Sequence, residues 1–146
     1  AEMPLPRSVE QMDVDGVPGT LVHLGGIAHL IVRDVAPSQA FFAQAESVFA
    51  AYPELQAYGV CFLNGESMTP LVKVPEAGTL VFEGSCGSGT LASVVAMSQG
   101  REGTFSAALR QPAGIVSASV TRRAGTVIAA AIGGPVTLGE PFDVEI

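Results

Sequence analysis

The residues with the greatest chemical potential stand together at Glu83-Gly84-Ser85-Cys86-Gly87-Ser88-Gly89-Thr90, directly ahead of an apolar, alanine-rich segment. A cysteine at the start of a helix meets unpaired backbone N–H groups and the positive end of the helix dipole, and both stabilise negative charge on sulfur. Gly87 and Gly89 remove side chains where a ligand can approach the backbone, and the N–H groups of such a first turn cradle a carboxylate or a phosphate. The spacing alone reads equally well as a reactive thiol beside an anion cradle or as a tight Gly-Ser-Gly turn with Cys86 as a small buried hydrophobe. No lysine follows the glycines, so the segment is not a Walker loop.

The elements that must hold this segment are mostly strands. Pro, Gly and Asn punctuate the chain at short intervals, and eight pieces between them have strand character: Thr20–Leu24, Ile27–Val32, Tyr58–Leu63, Pro70–Val74, Thr79–Phe82, Thr104–Arg110, Ile115–Arg122 and Thr126–Ile132. Asn64-Gly65 marks a turn between two of them. Two pieces differ. Phe41, Phe42, Ala45, Val48, Phe49 and Tyr52 recur at helical spacing after Ser38, a suitable N-cap, which predicts an amphipathic surface helix ended by Pro53. From Gly87 to Gln99 there is no charge at all, and Gly100 follows as a C-cap, which predicts a buried helix beginning at the cysteine. Strands that outnumber helices, without a β-α-β rhythm, imply an α+β domain in which a curved, mostly antiparallel sheet wraps one central buried helix and carries one surface helix.

Composition narrows the function. The 146 residues are 48% hydrophobic but only 14% charged, against roughly 25% charged in an average globular chain. With mean hydropathy of +0.42, part of the exterior is expected to be covered by other protein. A net charge of -7 and the scattering of Lys and Arg, Arg122-Arg123 apart, leave no basic patch for nucleic acid. No run is long and apolar enough to span a membrane, and no secretory signal is visible. Cys61 and Cys86 lack the short spacings that bind zinc, so a cytoplasmic chain with reduced thiols is expected.

Cys86-Gly-Ser-Gly-Thr followed by an apolar helix resembles the second cysteine motif of the diaminopimelate epimerase family. Two further segments strengthen the likeness. Gly26-Ile27-Ala28-His29-Leu-Ile-Val is similar to the family's glycine, asparagine, proline, histidine motif at the head of a strand, and Val74-Pro75-Glu76-Ala77-Gly78 to its Glu-Arg-Gly motif. The resemblance covers nearly the whole chain, as a single domain over residues 1–146, and only as the C-terminal lobe of a two-lobe enzyme whose N-terminal lobe is absent. It implies a cofactor-independent racemase or epimerase of amino acids in which one thiolate removes the α-proton and a thiol from the other lobe returns a proton to the opposite face. Cys86 is then one of two bases, and Gly87 and Ser88 supply backbone N–H groups to the substrate carboxylate. His29 and Glu76 become polar neighbours of the cleft that set the thiol's protonation state or bind the substrate. Read without the family, His29 is equally a core histidine on an apolar strand and Glu76 a solvated turn carboxylate.

The departures from the family carry information about substrate. Ile27, Ala77 and Gly59 stand where the diaminopimelate enzymes carry an asparagine, an arginine and an asparagine that bind the distal end of their substrate. Without the arginine's bidentate donors a distal carboxylate has no partner, so histidine or another neutral amino acid is expected. The segments around Ile27 and Glu76 look closer to the histidine racemases that feed staphylopine-type metallophore synthesis. The expected partners are the amino acid and the second lobe, with a homodimer as a further option. Two alternatives remain: a non-enzymatic or differently active lobe of the same architecture, and diaminopimelate epimerase itself. Cys61 is read as a structural cysteine, Glu83 as either a repelling neighbour of the thiol or a solvated residue, and His23 has no identifiable partner.

Overall fold

The computed structural model describes residues 3, 5–133 and 136–137. Among the described residues there are ten strands: β1 Ser8–Val14, β2 Val17–His23, β3 Ile27–Arg33, β4 Ala57–Asn64, β5 Ser67–Val74, β6 Thr79–Phe82, β7 Gly103–Gln111, β8 Gly114–Arg123, β9 Thr126–Ile132 and β10 Val136–Thr137. They form one sheet in the order β1-β2-β3-β4-β5-β7-β8-β10, with β6 also paired to β5 and β9 to β8. Helix α1 spans Gln39–Ala45 and helix α2 Gly87–Met97. The pairings are antiparallel except β3 with β4 and a one-residue contact of β5 with β7, and each parallel junction is where a helix carries the chain across. The α+β architecture with a mostly antiparallel curved sheet, a central helix and a surface helix is thus the one expected.

The strands beyond the expected eight are β1 and β10. β1 lacks clean alternation, being half-buried or exposed along most of its length, and it is held by its register against β2, from Ser8 opposite His23 to Val14 opposite Val17. The surface helix is also shorter than its apolar spacing implies. Ser38 caps α1 as expected, its Oγ accepting from Phe41 N–H at 3.0 Å, but past Ala45 the chain tightens into a 3-10 turn, Glu46–Ala51.

One sheet serves two cores because successive side chains point to opposite faces. Leu21, Ala28, Leu30, Val32, Val60 and Phe62 face α1 and its aromatic residues Phe41, Phe42 and Phe49. Val22, Ile31, Cys61 and Leu63 face α2, where Leu91, Ala92, Val94 and Val95 are wholly enclosed. Strands β2, β3, β4, β7, β8 and β9 all pack on α2, so an apolar helix without a polar face is what this position requires.

The β7–β8 hairpin clamps both ends of that helix. Buried Gln111 accepts from Cys86 N–H at 2.9 Å and donates to Thr90 Oγ1 at 2.6 Å, while the Thr90 hydroxyl donates to Cys86 O at 2.7 Å. At the other end Arg122 donates to Val95 O at 3.1 Å and Ser98 Oγ at 2.9 Å, placing a cation against the negative end of the helix dipole. Gly100, at φ +81°, ends the segment in a conformation that glycine adopts without strain.

Candidate active site

Cys86 is the N-cap of α2. Its extended backbone (φ -146°, ψ 113°) turns the side chain back over the first turn, and Sγ accepts the Gly89 N–H at 3.3 Å. A sulfur thus occupies the place that a serine or aspartate oxygen takes at an ordinary N-cap. The N–H groups of Gly87 and Ser88 are the first donors of the helix, and no carbonyl within α2 can accept them. Both residues are partly exposed, so donors and thiol open on one side.

Beneath the thiol lies a chain of neutral polar groups. Ser88 Oγ is 3.5 Å from Cys86 Sγ and 2.9 Å from His29 Nε2, and His29 Nδ1 is 3.7 Å from Cys61 Sγ. His29 and Cys61 are completely buried on β3 and β4, where the parallel register sets His29 opposite Gly59 and Ile31 opposite Cys61. Burial holds the His29 imidazole down at a pKa of about 4 and pushes the Cys61 thiol well above its ordinary range. Around neutral pH both are uncharged, as an enclosed pair without a counter-ion must be.

Gly89 is what allows the two sulfurs to share this space. A Cβ at that position would stand 3.0 Å from Cys61 Sγ and 3.2 Å from Cys86 Sγ. The glycine read from the sequence as an opening for a ligand therefore serves an internal approach.

Cys86, Gly87, Ser88 and His29 are brought together, with His29 below the loop rather than on its surface. Glu76 is not part of the cluster. It is exposed in the β5–β6 turn, past the end of β5, beside Leu55, Gln56 and Pro75, and among the described residues no hydrogen bond joins it to the thiols. Glu83 is half-buried and raises the Cys61 thiol by charge repulsion. His23 does have partners: Glu54 at 3.3 Å, and the ring of Tyr52 at 4.7 Å between centroids.

Two residues of the cluster escape sequence reasoning. Cys61 is structural in its burial, yet its sulfur belongs to the thiol network. Gln111 gives no signal except a polar side chain at the end of an apolar strand just before Pro112, a position where a buried amide needs a partner.

Fold and site together define a curled α+β domain whose central helix is capped by a thiol. The chain belongs to the family described as the histidine racemase CntK N-terminal domain, whose model matches residues 1–140. A histidine racemase from Fusobacterium nucleatum subsp. nucleatum is 34% identical over 96 residues, which are 62% of this chain and 36% of the relative. The match thus spans about a third of the length of that curated relative. The family description names an N-terminal domain, where the likeness of the His29, Glu76 and Cys86 segments led to the expectation of a C-terminal lobe.

Proposed function

We propose that this domain is one lobe of a cofactor-independent amino acid racemase acting on histidine or another neutral amino acid in the reducing cytoplasm, and that Cys86 is one of its two bases. The observation that carries the reading is the thiol at the N-cap of α2 beside the unpaired N–H groups of the same turn. Racemisation requires a base at the α-carbon and stabilisation of the charge that then delocalises into the carboxylate. The Cys86 thiolate takes the proton and becomes a thiol, while Gly87 and Ser88 donate to the carboxylate as negative charge grows there. A second thiol, from the rest of the polypeptide, delivers a proton to the opposite face. The exposed apolar side chains Val81 and Phe82 are neighbours on β6, just ahead of the thiol loop, and leave apolar surface on both faces of that strand, which supports its being covered by a second lobe.

The substrate reading rests on the end of the sheet where β3 and β4 begin and β5 ends. Ile27 and Ala77 offer no partner for a distal carboxylate, and a Cβ at Gly59 would come within 2.6 Å of Leu71 O, so no amide side chain fits there. Burying a carboxylate unpaired costs several kcal/mol, of the order set by desolvation. The relative's name, histidine racemase, agrees with a neutral substrate carrying ring nitrogens.

The test is α-proton exchange in deuterated water, with the full-length protein and a panel of L-amino acids. Histidine should exchange faster than diaminopimelate, and Cys86→Ser should lower exchange by roughly a thousandfold or more with the fold intact. Retained exchange in that variant would falsify the two-base assignment. Faster exchange of diaminopimelate would overturn the substrate reading and require an arginine from outside this domain.

A further inference from the structure

Cys61 is the chemically active group that the proposed mechanism leaves unused. It shares its space with Cys86 over Gly89, and its sulfur has two partners in reach: Gly89 O at 3.9 Å, which accepts, and His29 Nδ1 at 3.7 Å, which accepts or donates according to the ring's tautomer. A neutral imidazole has one donor and one acceptor nitrogen, so the group that fills one nitrogen decides what the other does.

We propose that Cys61 is a positioning residue that fixes the tautomer of His29, and that His29 in turn aims the Ser88 hydroxyl at Cys86. The inference rests on the assignment of Cys86 as a base and concerns how that base is held. The Cys61 S–H donates to Nδ1, which places the ring proton on Nε2. Nε2–H then donates to Ser88 Oγ across 2.9 Å and leaves the Ser88 proton for Cys86 Sγ, 3.5 Å away. With the Gly89 N–H, the thiolate receives two donors. In the other tautomer Ser88 would spend its proton on Nε2, and Cys86 would keep only the backbone donor.

The remaining groups around this chain keep both of its buried members neutral, as the relay requires. Burial keeps Cys61 protonated, the Cys86 charge and Glu83 act in the same sense, and only the Ser93 hydroxyl on α2 acts against it. Buried His29 stays neutral and so retains one acceptor nitrogen for the Cys61 S–H. No proton leaves the chain and none enters it, so its role is to orient donors and not to exchange protons with the substrate.

The direct test is nitrogen-15 NMR of the full-length protein labelled at histidine, with the His29 ring identified by its loss in His29→Gln. A predominantly Nε2–H ring at neutral pH is expected, and a predominantly Nδ1–H ring or an imidazolium overturns the proposal without recourse to any variant. In kinetics, Cys61→Ala should mix the tautomers and lower kcat for α-proton exchange about fivefold to tenfold at unchanged KM, while Cys61→Ser, which keeps a donor, restores most of the loss. Ser88→Ala should lower kcat at least as much, with recovery in Ser88→Thr. Exchange that requires Cys86 but is indifferent to Cys61→Ala and Ser88→Ala rejects the relay and leaves the racemase reading standing. Exchange indifferent to Cys86 itself rejects that reading, and the relay with it.

Discussion

The two faces of the sheet bury comparable side chains from the same strands and use them differently. Toward α1, Leu30, Val32, Val60 and Phe62 meet Phe41, Phe42 and Phe49, with Tyr58 stacked 4.5 Å from Phe49; apart from buried His23, which meets Glu54 at 3.3 Å, the polar groups stay at the rim, where Glu46 bridges Lys73 at 2.6 Å and Tyr58 at 2.7 Å. Toward α2, the alternate positions of β3 and β4 put His29 and Cys61 into the interior and lead them, through Ser88, to a thiol at the surface. The first face holds none of the groups that touch the Cys86 thiol. The second has little freedom, because every neutral polar group on it needs a partner of fixed direction.

The largest effect that separates them is a core truncation. Phe62→Ala on the α1 face should lower stability by about 3–5 kcal/mol, the usual cost of emptying an aromatic site, measured as a fall in the urea midpoint. In the fraction that remains folded, the alkylation rate of Cys86 should be unchanged. A rate altered as much as by Ser88→Ala would show that the two faces are not separable.

Next comes the acid limb of the α2 face. The unfolded chain protonates a histidine near 6.5, while the buried His29 takes its proton only near 4, so between these values the unfolded state binds more protons. The contribution is therefore fully present above about 6.5 and lost as the pH falls toward 4, at an order of about 3 kcal/mol in total. Urea unfolding across pH 4 to 7 should show this slope, and His29→Gln should flatten it. An unchanged slope in that variant would mean that His29 is not the group responsible.

The smallest effect lies at the rim of the α1 face. Glu46 and Lys73 are each about one-third exposed, 35% and 33%, and partly screened by solvent. Lys73→Met should cost no more than about 1 kcal/mol and become indistinguishable from wild type in high salt. A loss of several kcal/mol that persists in salt would make the α1 face as dependent on its polar groups as the α2 face.

Much of this is legible in the linear chain. An uncharged stretch from Gly87 to Gln99 can only be an enclosed helix, Ser38 stops solvent-side donors from being wasted at the head of α1, and Gly100 ends α2 where a left-handed residue is needed. Cys86 at the head of that helix follows from order alone, as do the two glycines beside it. These features are local: capping, periodicity and glycine conformation act over a few residues, and such spacing is what a sequence displays.

Other features were decided only when distant strands met. β1 is a strand because β2 is there to receive its hydrogen bonds, and the 3-10 turn after Ala45 replaces a continuing helix that the apolar spacing alone would favour. Glu76, which resembles a site residue in its motif, stands in an exposed turn outside the thiol cluster, because β5 ends before reaching it. Cys61 is indistinguishable in sequence from any buried cysteine. It becomes a neighbour of His29 through the parallel register of β3 and β4, and of Cys86 through the missing side chain at Gly89. Gln111, which ties the thiol's own backbone to the β7–β8 hairpin, lies 25 residues from it in the chain. The sequence determined that a thiol would stand at the head of the enclosed helix; pairing across strands, which depends on register and not on local preference, decided which groups stand behind it.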